Sequence, residues 1–233
     1  MPQQPYNDFM PIILFDIDGT LVRTGGAGKA AMESGLVAAF GVKELRDEVP
    51  YSGRTDVAIS RDLLRVHGID PTLENQRRLR ESYLAHLPNS LKTKGGEVCP
   101  GIRELLAAVV GKPGMVLGLL TGNVRVGASH KLGHFGLWDY FACGGFGDEH
   151  FDRDDVARSA LAAVREHVRG AVNPSDVWVI GDTPLDVSCA RAIGANAVAV
   201  ATGWHPADEL TGCAPDLFFD DLSDHSRLLA VWE

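Results

Sequence analysis

No stretch of this 233-residue chain approaches the ~20 consecutive apolar residues that a membrane-spanning helix requires, so no membrane partner is expected. The opening MPQQPYNDFMPIILF lacks the basic start and small-residue cleavage site of a secretory leader. Its apolar piece, Ile12 to Phe15, has the length of a strand. Cysteine is scarce: Cys99, Cys143, Cys189 and Cys213 are widely spaced, with no C-x-x-C pair. That usage points to reduced thiols in a cytoplasmic protein rather than to a disulfide framework or a zinc site. Basic residues are outnumbered, 22 against 31 acidic, for a net charge of −9. A nucleic-acid binder needs a basic stripe to neutralise phosphates, and that class is set aside. The same acidic field repels any anionic ligand. A site for one must therefore draw on a bound cation, a few Lys or Arg, or helix N-termini.

What the chain does have is the ordinary balance of a globular protein, 45% hydrophobic and 23% charged. Short apolar runs predict core strands at Ile12–Asp16, Met115–Thr121, Val177–Gly181 and Ala197–Ala201, with a weaker one at Leu217–Phe219. Helical patterns fall between them at Ile102–Val110, Val124–Leu132, Asp155–Val168, Leu185–Ile193 and Leu222–Val231. The alternation predicts an α/β fold, a doubly wound parallel sheet of Rossmann-like type. Three of the strands end in polar clusters, Asp-x-Asp-Gly-Thr, Thr-Gly-Asn and Gly-Asp-Thr-Pro. Ligands of such sheets bind beyond the carboxyl ends of the strands, so the clusters should meet in one crevice. From Arg23 to about Val98 the alternation stops. Three helical patterns occupy that stretch, Lys29–Phe40, Asp56–His67 and Leu73–Leu91, punctuated by turn residues. They read as an inserted all-helical cap domain, residues 23–98, in a core made of residues 1–22 and 99–233.

The sharpest signal is Ile12-Ile13-Leu14-Phe15-Asp16-Ile17-Asp18-Gly19-Thr20-Leu21, a buried strand ending in two carboxylates, a glycine and a hydroxyl residue. It resembles the first motif of the haloacid-dehalogenase superfamily, and the resemblance predicts further motifs in order. Leu119-Leu120-Thr121-Gly122-Asn123 supplies the second, and Gly181-Asp182-Thr183-Pro184-Leu185-Asp186 supplies the acidic pair of the fourth. Ala190-Arg191-Ala192-Ile193-Gly194-Ala195 resembles the family's helix after that pair. The third motif departs: where the family usually has a Lys, Gly147 to Val156 contains none, and the nearest cation is Arg153. This resembles an Asp-Arg variant of the phosphoglycolate-phosphatase-like branch. Arg is chemically apt because it stays charged and can hold phosphate through two donors. Arg158 and Lys131 are the alternatives.

The resemblance implies a magnesium-dependent phosphohydrolase acting on a small phosphorylated metabolite, as a monomer or homodimer. In it Asp16 is the nucleophile that forms an aspartyl-phosphate, and Asp18 is the acid and base. The metal would take the Asp16 carboxylate, the Asp18 backbone carbonyl and Asp182, with Asp186 at or just outside that shell. Thr121, Gly122, Asn123 and Arg153 would hold the phosphate. Gly53-Arg54-Thr55-Asp56 resembles a string in some relatives, so Arg54 is a candidate substrate contact, although Thr55 or Asp56 could equally cap a helix.

Other chemistries fit less well. A phosphosugar mutase would need its phosphoenzyme protected from water, whereas a haloacid dehalogenase would leave Asp18 and the acidic pair without a task. Gly25 to Ala30 faintly suggests a nucleotide phosphate loop, but Arg23 stands where its first glycine should be and Ala30 where its Ser or Thr should be. His130 and His134 have a zinc-compatible spacing without the Glu or third ligand such a site needs, and read as a helix face.

Overall fold

The computed structural model describes residues 11–232. Residues 1–10, part of the stretch read as lacking a leader and of the range assigned to the core, lie outside them, as does Glu233. Ile12–Phe15 forms strand β1, and all four side chains are fully buried. A strand apolar on both faces needs cover on both, which helices flanking a parallel sheet supply. The chain continues through β2 (Val22–Arg23), α1 (Ala27–Phe40), α2 (Asp56–Val66), α3 (Leu73–Lys94) and β3 (Glu97–Val98). Next come α4 (Ile102–Val109), β4 (Val116–Leu120), α5 (Arg125–His134), β5 (Cys143–Gly145) and α6 (Arg153–Val168). The remainder is β6 (Val177–Gly181), α7 (Pro184–Ala192), β7 (Asn196–Val200), α8 (Ala207–Gly212), β8 (Leu217–Phe219) and α9 (Ser226–Leu229).

Six strands form one parallel sheet in the order β5-β4-β1-β6-β7-β8. β4 and β6 flank β1, so the winding reverses direction there and a crevice opens beyond the strands' carboxyl ends. Alternation along β1 sends Ile13 and Phe15 into one core layer with Leu105 and Leu106 of α4. Ile12 and Leu14 enter the other layer, with Ala157 and Ala160 of α6 and Val187 and Ala190 of α7.

Helices α1 to α3 pack around an apolar cluster of their own, in which Met32 and Leu36 meet Ile59, Leu63, Leu79, Tyr83 and Leu87. The core contributes Val124 to that cluster.

Several local expectations change. The expected unbroken absence of strand from Arg23 to Val98 fails at its ends, where β2 and β3 pair antiparallel, Val22 with Val98 and Arg23 with Glu97. The segments leading into and out of the three helices therefore pair with each other. Strand β5 had no apolar run to announce it, since two of its three residues are Gly144 and Gly145. The expected helix at Leu222–Val231 shrinks to α9, and α8 had not been anticipated. Cys99, Cys143, Cys189 and Cys213 are all free thiols. Among the described residues no helix is long and apolar enough to cross a membrane.

Candidate active site

Asp16 is the first residue beyond β1, and its N–H still donates to the Ile180 carbonyl (3.0 Å), which holds it against the end of β6. The chain then reverses through Gly19, whose φ of +88° favours glycine. A Cβ at Gly19 would also overlap the Asp182 carboxylate, so the glycine lets the two strand ends meet. Thr20 ties them, its hydroxyl donating to Asp182 Oδ1 at 3.0 Å.

Asp182 follows β6, and Asp186 lies in the first turn of α7. Asp186 completes a capping box with Thr183: its Oδ2 accepts from the Thr183 N–H (3.0 Å) and hydroxyl (2.8 Å). That fixes one carboxylate oxygen of Asp186 on its own helix and leaves the other, Oδ1, to pair with Arg153.

Asp16, Asp182 and Asp186 are all buried, and each brings a carboxylate oxygen within 4.8 Å of the others. Burial pushes Asp16 up to about 7, against the pull of Arg153 and with help from the Asp186 and Asp18 charges. Asp182 is pushed well above the carboxylate range, by burial first and then by Asp186 and Asp16. Arg153, the first residue of α6, reaches in and donates to Asp16 Oδ1 (3.4 Å) and to Asp186 Oδ1. One guanidinium against three carboxylates leaves a surplus of negative charge in a dry place. Hard oxygen donors carrying that surplus fit magnesium, which neutralises it and keeps the acids ionised. The Arg153 Nε is buried without a hydrogen-bond partner among the described residues.

On the opposite side of Asp16, Thr121 follows β4 and is fully buried, its N–H donating to the Gly145 carbonyl (3.1 Å). Asn123 donates through Nδ2 to Thr121 Oγ1 (2.9 Å) and to Asp18 Oδ2 (2.8 Å). Lys131 of α5 donates to the same Asp18 oxygen (2.5 Å) and to Asn123 Oδ1 (2.6 Å). The Asp18 carboxylate thus belongs to this Thr121–Asn123–Lys131 network, and the three-carboxylate cluster does not include it. The reading of Asp18 as a metal ligand concerns its backbone carbonyl, a different atom.

Of the three cations considered for the third motif, Arg153 is in the crevice, whereas Arg158 is exposed and pairs with Asp155 (2.5 Å). Lys131 is in the site by another route. It stands seven residues after Val124, about two turns along its helix, so it returns to the face of Val124, next to Asn123. That spacing was readable; its partner Asp18 was not.

Asp56 is the second residue that sequence reasoning left as a mere capping candidate. Thr55 caps α2 through Ala58 N–H (3.2 Å), while Asp56 crosses to the sheet. Its N–H donates to the Gly122 carbonyl (2.8 Å) and its Oδ2 accepts from Val124 N–H (2.8 Å). The helical insertion therefore caps core helix α5, whose own first residues offer no side-chain acceptor. The fit is close, because a Cβ on Gly122 would overlap the Arg54 carbonyl. Arg54 itself lines the crevice, held by Asp62 (2.5 Å) and the Pro50 carbonyl (3.0 Å). His130 and His134 take part in no group of three metal-ligating side chains among the described residues.

A family model described as haloacid dehalogenase-like hydrolase matches residues 13–200. A phosphoglycolate phosphatase of Cereibacter sphaeroides is 30% identical over 230 residues, covering 94% of this chain and 99% of that protein. The probable phosphatase IndB of Dickeya dadantii (strain 3937) is 29% identical over 228 residues, 92% of this chain and 91% of its own length. Among solved structures, CbbY from Rhodobacter sphaeroides in complex with phosphate superposes with a TM-score of 0.73. It is 21% identical, covers 93% of this chain and 96% of that one, and so shares the fold.

Proposed function

The chain belongs to the haloacid dehalogenase-like hydrolases, and from that premise we propose that it is a magnesium-dependent phosphatase working through a phosphorylated Asp16. It is a hydrolase of phosphate esters, phosphoglycolate-phosphatase-like in sequence. The observation that carries the mechanism is the meeting of Asp16, Asp182 and Asp186 at adjacent strand ends, with Arg153 bonded to Asp16 and Thr121 at the end of the neighbouring strand. In this proposal residues 23–98 act as a cap over the core formed by residues 1–22 and 99–233, and the protein works in the cytoplasm, in keeping with its free thiols.

Asp16, Asp182, Asp186 and the Asp18 backbone carbonyl would hold the metal ion, which when bound offsets the charge shared by phosphate and carboxylates. An Asp16 oxygen attacks phosphorus, an O–P bond forms, and the bond to the leaving alkoxide breaks. Asp18 gives its proton to that alkoxide, then takes one from the water whose oxygen attacks phosphorus and frees Asp16. The sum is ester plus water to alcohol plus phosphate. Thr121, the Gly122–Asn123 backbone and Arg153 orient the phosphoryl oxygens, and Asp56 docks α2 beside them on Gly122 and Val124.

The test is hydrolysis of p-nitrophenyl phosphate with magnesium. Turnover abolished by EDTA and by Asp16→Asn is the expected result; turnover unchanged in Asp16→Asn sinks the mechanism.

A further inference from the structure

We propose that the natural substrate is a phosphomonoester of an uncharged, ring-bearing alcohol, well beyond phosphoglycolate in size. The inference rests on the phosphatase reading above and narrows it. The crevice and the underside of the helical insertion line an open cavity of about 770 Å³. Cavities of about 300–1,000 Å³ serve ligands of drug size, and a phosphorylated two-carbon acid would leave most of this one to solvent.

Charge points the same way. Five basic residues line the cavity: Arg23, Lys29, Arg54, Lys131 and Arg153. Each is already hydrogen-bonded to a carboxylate of this chain. Arg23 holds Glu97 (3.3 Å), Lys29 holds Asp47 (2.5 Å), Arg54 holds Asp62 (2.5 Å) and Lys131 holds Asp18 (2.5 Å). Arg153 holds Asp16 and Asp186. The Arg23 and Lys29 pairs are solvent-exposed and weak, but at the more buried Arg54, Lys131 and Arg153 a substrate carboxylate would have to displace an acid and leave it without its partner. A neutral alcohol moiety asks for no such exchange.

The walls supply what a neutral ring needs. Met32, Ile59 and Tyr83 are buried apolar surface beside the crevice. Tyr51 lines the same cavity, and its hydroxyl is buried with no hydrogen-bond partner among the described residues. Buried hydroxyls are normally paired, so this one suits a polar substituent of the ligand. Trp204, in the loop after β7, also lines the cavity yet is 92% exposed. An indole left in water at a cavity wall is a platform on which a flat ring can stack. The loop that carries it is tied to the insertion, since His205 Nε2 lies 3.1 Å from Ser52 Oγ.

The experiment compares kcat/KM, with magnesium present, for phosphoglycolate, ribose phosphate, phenyl phosphate and a nucleoside monophosphate. The expected order places the nucleoside monophosphate at least about tenfold above phosphoglycolate, the size of one base–aromatic stack. Trp204→Ala should lower kcat/KM for the nucleoside monophosphate about tenfold more than for ribose phosphate. Tyr51→Phe should weaken the nucleoside monophosphate and spare phenyl phosphate, which has no polar substituent to pair. If phosphoglycolate leads the panel, or Trp204→Ala lowers every ester equally, this inference falls while the phosphatase reading stands. If no ester is hydrolysed, both fall.

Discussion

The Lys131 ammonium lies 2.5 Å from Oδ2 of Asp18, joining a helix that begins after β4 to the turn that follows β1. Lys131 is buried and also holds Asn123, so the Asp18 side chain is gripped on one oxygen by two donors, Lys131 and Asn123. It is a positioning residue: it sets where the proposed acid and base stands.

Lys131→Met should therefore lower kcat about a hundredfold, within the range for misplacing a general acid, while KM moves by less than about threefold. Steady-state kinetics on p-nitrophenyl phosphate, with a melting curve to confirm folding, check this. A rise in KM with kcat unchanged would assign Lys131 to substrate binding instead.

Among the described residues, Arg153 is the sole cation bonded to the buried acidic cluster. Removing one partner of such a buried set costs about 3–5 kcal/mol because the remaining charge is uncompensated. Arg153→Met should lose stability on that scale at neutral pH without metal, and added magnesium should recover part of it. Urea unfolding with EDTA and with magnesium measures both quantities; a variant as stable as the parent in EDTA would refute the pairing's importance.

Burial, opposed by Lys131 and by the Val124 N–H, raises Asp56 from 3.8 to about 6. Between those values the folded chain keeps a proton that the unfolded chain releases, so stability falls with rising pH. The contribution is complete below about 4 and lost as pH climbs through about 6. Asp56→Asn keeps an oxygen for Val124 N–H and removes the titration, so its stability relative to the parent should improve from pH 4 to pH 7. Thermal melts across that range decide it; a difference independent of pH would contradict the burial of this carboxylate.

Magnesium binds ionised carboxylates, while burial and mutual charge hold Asp16 at about 7 and push Asp182 well above its ordinary value. Magnesium should thus stabilise the protein more at pH 8 than at pH 5.5. At a hundred times its Kd the gain should reach about 2.7 kcal/mol. Asp182→Asn should remove most of it. An equal magnesium shift in parent and variant would place the ion elsewhere.

The strand-end motifs were legible because each is local. Asp16 and Asp18, Thr121, and Asp182 with Asp186 each sit within a few residues of a buried strand whose apolar run announces it. Arg153 could be read too, as a cation opening a helix. β5 could not, because its glycines carry no pattern and it forms only by pairing with β4. Lys131 and Asp56 were seen only as a spare cation and a helix cap, since the groups they bond lie 113 and 68 residues away in the chain. Arg54 was a candidate substrate contact; it lines the cavity, but its guanidinium is committed to Asp62.

From the sequence alone came most of the sheet, its doubly wound type and the chemical types gathered at its mouth, because short apolar runs and turn residues act over a few neighbours. Tertiary structure decided which charges cancel. Lys131 rather than a metal-facing group grips Asp18, every cation in the cavity is already matched, and the insertion docks through Asp56 on Gly122 and Val124. Electrostatic pairing depends on distance in space, and chain separation carries almost no information about it.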